Sequence, residues 1–97
     1  MIEYLYNAIR ALAGQDITIT AIVANEQGEP ITEGCHIMLF NPDRELLATI
    51  DGTYKQDGEW NFTIPADTTE GLYGRYWYCI CQHDKSLCFK EPIYLHN

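Results

Sequence analysis

The stretch Gly71-Leu-Tyr-Gly-Arg-Tyr-Trp-Tyr-Cys-Ile-Cys-Gln-His-Asp-Lys-Ser-Leu-Cys-Phe-Lys-Glu-Pro-Ile-Tyr-Leu95 decides the fold of this chain. Two runs that are dense in aromatic, β-branched and other apolar residues flank the polar tetrad 83–86, a pattern typical of a β-hairpin. The sequence therefore predicts that the chain ends in two antiparallel strands. If the turn is centred on Asp84 and Lys85, Cys81 is expected directly opposite Cys88.

Turn signals recur at short intervals through the rest of the chain, with apolar runs between them. The Asn-Pro-Asp-Arg segment at 41–44 fits a type I turn, because proline at the second position has the required φ. In the run 59–64, Trp60, Phe62 and Ile64 alternate with other residues and are expected to face the core. The 65–71 segment is interpreted as a connection with room for one helical turn. The predicted strands upstream of the hairpin are 17–24, 35–40, 45–50, the short 53–55, and 59–64.

Six or seven strands at this spacing in 97 residues predict an all-β fold, a sandwich of about seven antiparallel strands. Hydrophobic residues make up 46% of the chain, and there is no linker or internal repeat, so we expect residues 1–97 to form one domain. No apolar run approaches the ~20 residues of a membrane span, and no signal peptide is evident. We therefore expect synthesis in the cytoplasm and no membrane partner. The predicted interior includes Ile17, Ile19, Trp60, Phe62, Tyr76, Tyr78 and Phe89.

The first dozen residues fit two kinds of secondary structure. Tyr4, Tyr6 and Ile9 suit an extended segment that runs into a turn at 14–17. A short amphipathic helix is favoured by apolar residues at helical spacing, followed by a glycine suited to a left-handed cap. These residues are Ile2, Leu5, Ile9, Leu12 and Gly14.

Four cysteines raise the question of a metal site or a disulfide. Cys79 and Cys81 lie two apart on a predicted strand and so project from one face. Their spacing is Cys-x-Cys rather than the paired Cys-x2-Cys of structural zinc sites. With Cys88, they would need a fourth zinc ligand from among Cys35, His36 and His83. We expect reduced structural thiols, ahead of a Cys81–Cys88 bridge formed after cell lysis, with a metal last. We also expect no cofactor and no catalytic residues, and therefore not an enzyme.

The formal net charge of −8 is unevenly placed along the chain. Residues 26–70 hold ten of the fourteen acids and, among the bases, only Arg44 and Lys55. The flanking segments 1–25 and 71–97 are together neutral, so their burial against a partner is expected to cost the least. Direct nucleic-acid binding is not expected, because the phosphate backbone requires a basic surface. We expect the acidic region to face solvent.

Both faces of the terminal hairpin are largely apolar, although a two-layer sandwich needs only one buried face per sheet. Tyr76 and Tyr78 belong to one face, and Trp77 and Tyr94 belong to the other. The second face is either covered by residues 1–12 or offered to another protein, and the two arrangements can coexist. The predicted partner interface consists of Ile2, Tyr4, Leu5, Tyr6, Ile9, Trp77 and Tyr94.

Four short motifs together resemble a known family. They are Ala13-Gly-Gln-Asp-Ile-Thr-Ile-Thr-Ala-Ile-Val23, Gly28-Glu-Pro-Ile31, Gly58-Glu-Trp-Asn-Phe-Thr-Ile-Pro-Ala66 and Gly71-Leu-Tyr-Gly-Arg-Tyr-Trp-Tyr78. Over residues 13–95 the chain resembles the small immunoglobulin-like domains of tailed-bacteriophage virion proteins, notably the N-terminal domain of the baseplate upper protein. The resemblance implies an immunoglobulin-like β-sandwich, a role in virion architecture and no catalytic residues. It also implies that residues 1–13 are extended, which favours strand over helix there.

An acidic domain of this kind suits an accessory protein that decorates a larger shell, and we expect a capsid decoration protein that contacts the major capsid protein. The alternative is a tail or baseplate component, including a carbohydrate- or receptor-binding module. Trp60, Trp77 and the seven tyrosines would form the platform of such a module. Exposed aromatics beside polar loops would favour the binding module, whereas buried aromatics would favour decoration. Homo-oligomerisation is compatible with both, and we expect the protein in the virion.

Overall fold

The computed structural model describes residues 9–86 and 90–97. In this part of the chain nine strands form two sheets, and one helical turn precedes the long strand β7. No helix among these residues is long and apolar enough to cross a membrane. The elements are β1 Ile9–Leu12, β2 Ile17–Ile22, β3 Cys35–Phe40, β4 Leu46–Asp51, β5 Thr53–Gln56, β6 Glu59–Ile64, α1 Ala66–Thr69, β7 Gly74–Gln82, β8 Lys85–Ser86 and β9 Glu91–His96.

The two sheets pack face to face as a sandwich. The larger sheet has the strand order β1-β9-β7-β3-β4, with β8 added to β7, and the smaller sheet has the order β2-β6-β5. The predicted strands and the helical turn are confirmed. The main difference from the predicted antiparallel arrangement is β1, which pairs in parallel with β9. A parallel pair is accessible because β1 and β9 are distant in sequence and need no hairpin turn between them.

The core lies between the sheets and is built by side-chain alternation along their strands. On β6, Trp60, Phe62 and Ile64 are all buried, as the sequence predicts. The Trp60 and Phe62 rings stack with their centroids 6.3 Å apart. Four more predicted interior residues are buried, namely Ile17, Ile19, Tyr76 and Tyr78, whereas Phe89 lies outside the described residues.

Gly52 carries the chain from β4 in the larger sheet to β5 in the smaller one. Its backbone N–H donates to the Cys35 carbonyl at 3.0 Å. A Cβ atom at this position would lie 2.5 Å from Phe62 Cε1 and 2.8 Å from Trp60 Cε3. Glycine is therefore needed here for space rather than for backbone freedom, because the crossing chain runs directly beside two buried rings.

The terminal hairpin has two registers. Strand β7 pairs with β9 from Gly74 opposite Leu95 to Tyr78 opposite Glu91. Nearer the turn, β8 lies two residues out of that register, and Cys81 pairs with Ser86. The prediction that Cys81 faces Cys88 is therefore wrong. The reason is the turn, whose two central residues are 83 and 84 with His83 at φ 52°, one residue earlier than expected. Cys88 itself lies outside the described residues.

The N-terminal segment is extended where the structure describes it. In β1, Ile9 pairs with Ile93 and Leu12 pairs with His96. The chain then turns at Gly14, which has φ 80° and donates its N–H to the buried Thr69 hydroxyl at 3.0 Å. The preference for strand is confirmed for residues 9–12. Residues 1–8 lie outside the described range.

Truncation of Phe62 to alanine should lower the free energy of unfolding by about 3–5 kcal/mol, since a fully buried aromatic leaves a cavity. Ile22→Ala is the matched control on the neighbouring strand β2, because Ile22 is 78% exposed and should cost less than about 1 kcal/mol. Urea unfolding followed by circular dichroism measures both. Equal midpoints for the two variants would contradict the assigned core.

Gly52→Ala should also destabilise the fold, by about 1–3 kcal/mol, because the added methyl group overpacks the site. The loss should be smaller when Phe62 is simultaneously changed to leucine, which removes the nearer of the two rings that the methyl group meets. A double-mutant cycle on urea midpoints measures this coupling. Strict additivity of the two changes would show that steric contact with Phe62 is not the cause.

Candidate functional site

The outward-facing side of the larger sheet carries a second apolar cluster. Alternation along β7 places Tyr76 and Tyr78 in the core and turns Trp77, Cys79 and Cys81 the other way. Cross-strand pairing then sets Phe40 opposite Trp77 and Met38 opposite Cys79. Phe40 and both cysteines are buried, with Met38 and Trp77 packed against them. Both faces of the hairpin's long strand are therefore apolar, as predicted.

Positively charged side chains lie over the aromatic rings of this outer side. The guanidinium carbon atoms of Arg44 and Arg75 lie 4.7 and 5.1 Å from the centroid of Trp77. Arg10 lies 5.7 Å from the centroid of Tyr94, and Lys90 Nζ lies 4.2 Å from that of Phe40. These are cation–π distances. We call the surface formed by these seven residues, Arg10, Phe40, Arg44, Arg75, Trp77, Lys90 and Tyr94, the cation–aromatic face.

The cation–aromatic face collects four of the six lysines and arginines of an acidic chain. The three acids of the terminal segments that the structure describes lie elsewhere. The carboxylate of Asp16 accepts the backbone N–H of Ala66 at 2.9 Å, Asp84 occupies the hairpin turn, and Glu91 is buried on β9 at 7% exposure. The charges of the two terminal segments sum to zero, but their described cations and acids lie in different places. The cation–aromatic face is therefore basic rather than neutral.

The structure brings together only part of the predicted interface. Trp77 and Tyr94 lie on the same outer side, both partly exposed. Ile9 does not join them, because it pairs with Ile93 and packs against the interior core. Ile9 is therefore not part of this outer surface. The remaining members, Ile2, Tyr4, Leu5 and Tyr6, lie outside the described residues.

Sequence reasoning missed the arginines of this surface, although it placed Lys90 on the same hairpin face as Trp77 and Tyr94. Arg75 could have been found, because it lies two residues before Trp77 on one strand and so shares its face. Arg44 could not, since it follows β3 in a loop, and only the folded chain sets that loop beside β7. Arg44 has φ 67°, a conformation that glycine and asparagine adopt far more readily than arginine.

The other tryptophan is not available for binding. Trp60 is 4% exposed, and its indole N–H donates to the Ile31 carbonyl at 2.7 Å. An open groove of 540 Å³ lies beside the 25–27 loop and is lined by polar residues such as Asn25, Gln82 and Lys85. None of its described lining residues is aromatic. The predicted carbohydrate platform therefore loses Trp60, and the groove supplies no ring in its place.

Cys79, Cys81 and Met38 form a compact sulfur contact. Cys79 Sγ lies 3.6 Å from Cys81 Sγ, which in turn lies 3.6 Å from Met38 Sδ. A disulfide requires about 2.05 Å, so the two cysteines are not bonded to each other. Within residues 9–86 and 90–97, no three histidines, cysteines or carboxylates converge as a metal site would need. Cys35 is buried on the inner side of β3, and burial raises the pKa of its thiol.

Comparison with known proteins identifies the fold alone. No family model and no curated protein matches the chain. Among solved structures, the filamin domain of Lin-41 superposes with a TM-score of 0.65 at 13% sequence identity, covering 90% of this chain and 82% of that one. The architecture is an immunoglobulin-like β-sandwich. The predicted fold class is thereby confirmed.

The raised pKa of Cys35 has a consequence for stability at alkaline pH. Below the unfolded-state pKa both states hold the proton, so the contribution of the neutral buried thiol is fully present there. As pH rises through the ordinary value of 9.0 towards the higher folded value, the unfolded state ionises first and stability is lost.

We therefore expect the fall in unfolding free energy between pH of about 7 and about 10 to be smaller in Cys35→Ala than in the parent. Contributions from groups that the two proteins share cancel in the comparison. Urea denaturation at each pH gives the two differences. Identical falls would mean that the Cys35 thiol is not held neutral by the fold.

Proposed function

We propose that this chain is a non-enzymatic structural domain of a tailed-bacteriophage virion that acts through protein–protein contacts. The observation that carries the proposal is the cation–aromatic face. A sandwich needs no second apolar cluster on the outside of a sheet, yet this one has a partly exposed Trp77 within cation–π distance of two arginines. Tryptophan, tyrosine and arginine are the residues that dominate the energetics of protein interfaces.

The chemistry of the face also favours binding over catalysis. Its exposed groups are guanidinium, ammonium and aromatic side chains, which stack and donate hydrogen bonds but offer neither a nucleophile nor a general base near neutral pH. The cysteine thiols beneath them are 3% exposed and are packed in the cluster. The surface is therefore suited to docking against another protein.

Within the virion we propose an accessory position on the capsid, in contact with the major capsid protein and assembled after synthesis in the host cytoplasm. The acidic loops then face solvent, where unpaired carboxylates cost nothing to hydrate. A tail or baseplate position is the alternative. A carbohydrate- or receptor-binding role within that alternative has less support, because Trp60 is buried and Trp77 is covered by cations.

The test is incorporation into particles made by the phage genome that encodes the chain. We expect many copies per purified particle, quantified by mass spectrometry. Trp77→Ala should reduce that number about tenfold or more, because a central interface tryptophan is typically worth 2 kcal/mol or more. The matched control is Glu26→Lys, an exposed loop residue whose charge reversal should leave incorporation nearly unchanged.

Circular dichroism must show that Trp77→Ala still folds before its incorporation is judged. Particles that lack the wild-type chain altogether would refute the virion assignment. Particles that carry it, but lose it with Glu26→Lys and not with Trp77→Ala, would place the contact on the acidic region instead.

A further inference from the structure

We propose that the cation–aromatic face binds a protein surface that presents carboxylates, with Arg44 and Arg75, which lie over the Trp77 ring, as the main donors. This inference rests on the proposed function, which makes the partner a protein. What it adds is the chemical character of the partner's surface. The juxtaposition behind it is two guanidinium groups at 4.7 and 5.1 Å from one indole centroid.

A guanidinium that is held against an aromatic ring is prepared to bind a carboxylate. Its five N–H donors lie in the plane of the group, so contact of the flat face with a ring leaves the donors at the edge for acceptors. Holding the side chain on Trp77 also reduces the conformational entropy that binding would otherwise cost. Two such groups near one ring repel each other, and a carboxylate bound close to both offsets that repulsion.

The protein does not neutralise these charges itself. Among residues 9–86 and 90–97, the charged groups of Arg10, Arg44 and Arg75 lie over aromatic rings. No carboxylate of these residues is within ion-pair distance of the three guanidinium groups. Glu45 follows Arg44 in the loop, but its carboxylate accepts the Asn41 side-chain amide at 3.1 Å. A chain with fourteen acids and six bases thus leaves three arginines without an acidic partner in its described part.

The backbone at Arg44 supports the same conclusion. Its φ of 67° is left-handed, a region in which a glycine would fit without steric cost. The loop nevertheless places a long cationic side chain there and returns it over Trp77. An arginine at this position weakens the turn, which is expected of a residue retained for contact rather than for folding.

Charge distribution decides which anion the face can accept. The net charge of −8 repels a dense polyanion such as a nucleic acid at long range, whereas a protein surface brings only a few carboxylates. At physiological ionic strength the Debye length is about 8 Å, so the distant acidic loops are screened while contacts on the face are not. A carboxylate-bearing protein surface is the complement of this charge pattern.

The experiment uses particles assembled without this chain as the binding probe and measures the Kd of the purified protein on them at increasing NaCl concentrations. The double variant Arg44→Gln, Arg75→Gln should raise Kd about tenfold for each arginine and should flatten its salt dependence. The matched control is Lys55→Gln, Lys85→Gln, which removes the same charge from exposed positions outside the face and should bind like the parent. Arg44→Gly, which relaxes the positive φ and so keeps the fold, should lose affinity about tenfold.

Each outcome is informative. If the parent protein binds no particle, the proposed function fails and not this inference alone. If the parent binds and the arginine variants bind equally well, the carboxylate partner is wrong while the virion role stands. Oligothymidylate and phosphatidylserine vesicles are the competing probes, and arginine-dependent binding to either would overturn the inference. Salt-sensitive self-association that is lost in the double variant would identify a second copy of this acidic chain as the occupant, and would overturn the inference that the carboxylates belong to a different virion protein.

Discussion

The two-residue period of strand β7 is the constraint on which this molecule depends. As the strand between β9 and β3, β7 is covered by the smaller sheet on one side only. Its alternation divides the aromatic residues between two environments, with Tyr76 and Tyr78 inside and Trp77 outside. A slip of one residue would exchange these sets and place Arg75 in the core, at a large desolvation cost. The register of β7 therefore determines both the packing of the core and the residues that form the proposed binding surface.

The two tryptophans show how burial separates structure from function. Trp60 is held by a hydrogen bond to a distant carbonyl, by its ring contacts with Tyr54 and Phe62, and by the space that Gly52 leaves. It joins the loop at residue 31 to the crossing between the sheets, and its indole N–H is satisfied internally. Trp77 has its ring covered by cations instead, so its environment can be completed by another protein. One tryptophan thus stabilises the core, and we propose that the other contacts a partner protein.

The separation of charge explains how an acidic protein can present a basic surface. Most of the described acids lie in loops and turns, where some accept hydrogen bonds, as Asp16 does from the Ala66 N–H and Glu29 from the Asn25 side-chain amide. The cations instead lie against aromatic rings of the larger sheet. The acidic loops and the cation–aromatic face thus occupy different parts of the surface, so a change in the charge of one need not disturb the other.

Sequence alone determined the local features of this protein. Alternation in the run 59–64 identified the core face, turn residues marked the strand ends, and the pattern at 71–95 predicted the hairpin, because each signal depends only on neighbours in the chain. Tertiary structure decided what depends on distant neighbours. It set β1 parallel to β9, packed Ile9 against the core, shifted the turn so that Ser86 pairs with Cys81, and brought Arg44 from its loop onto Trp77. Charge summed along a sequence cannot reveal such a surface, because the side chains that form it meet only when the sheet is assembled.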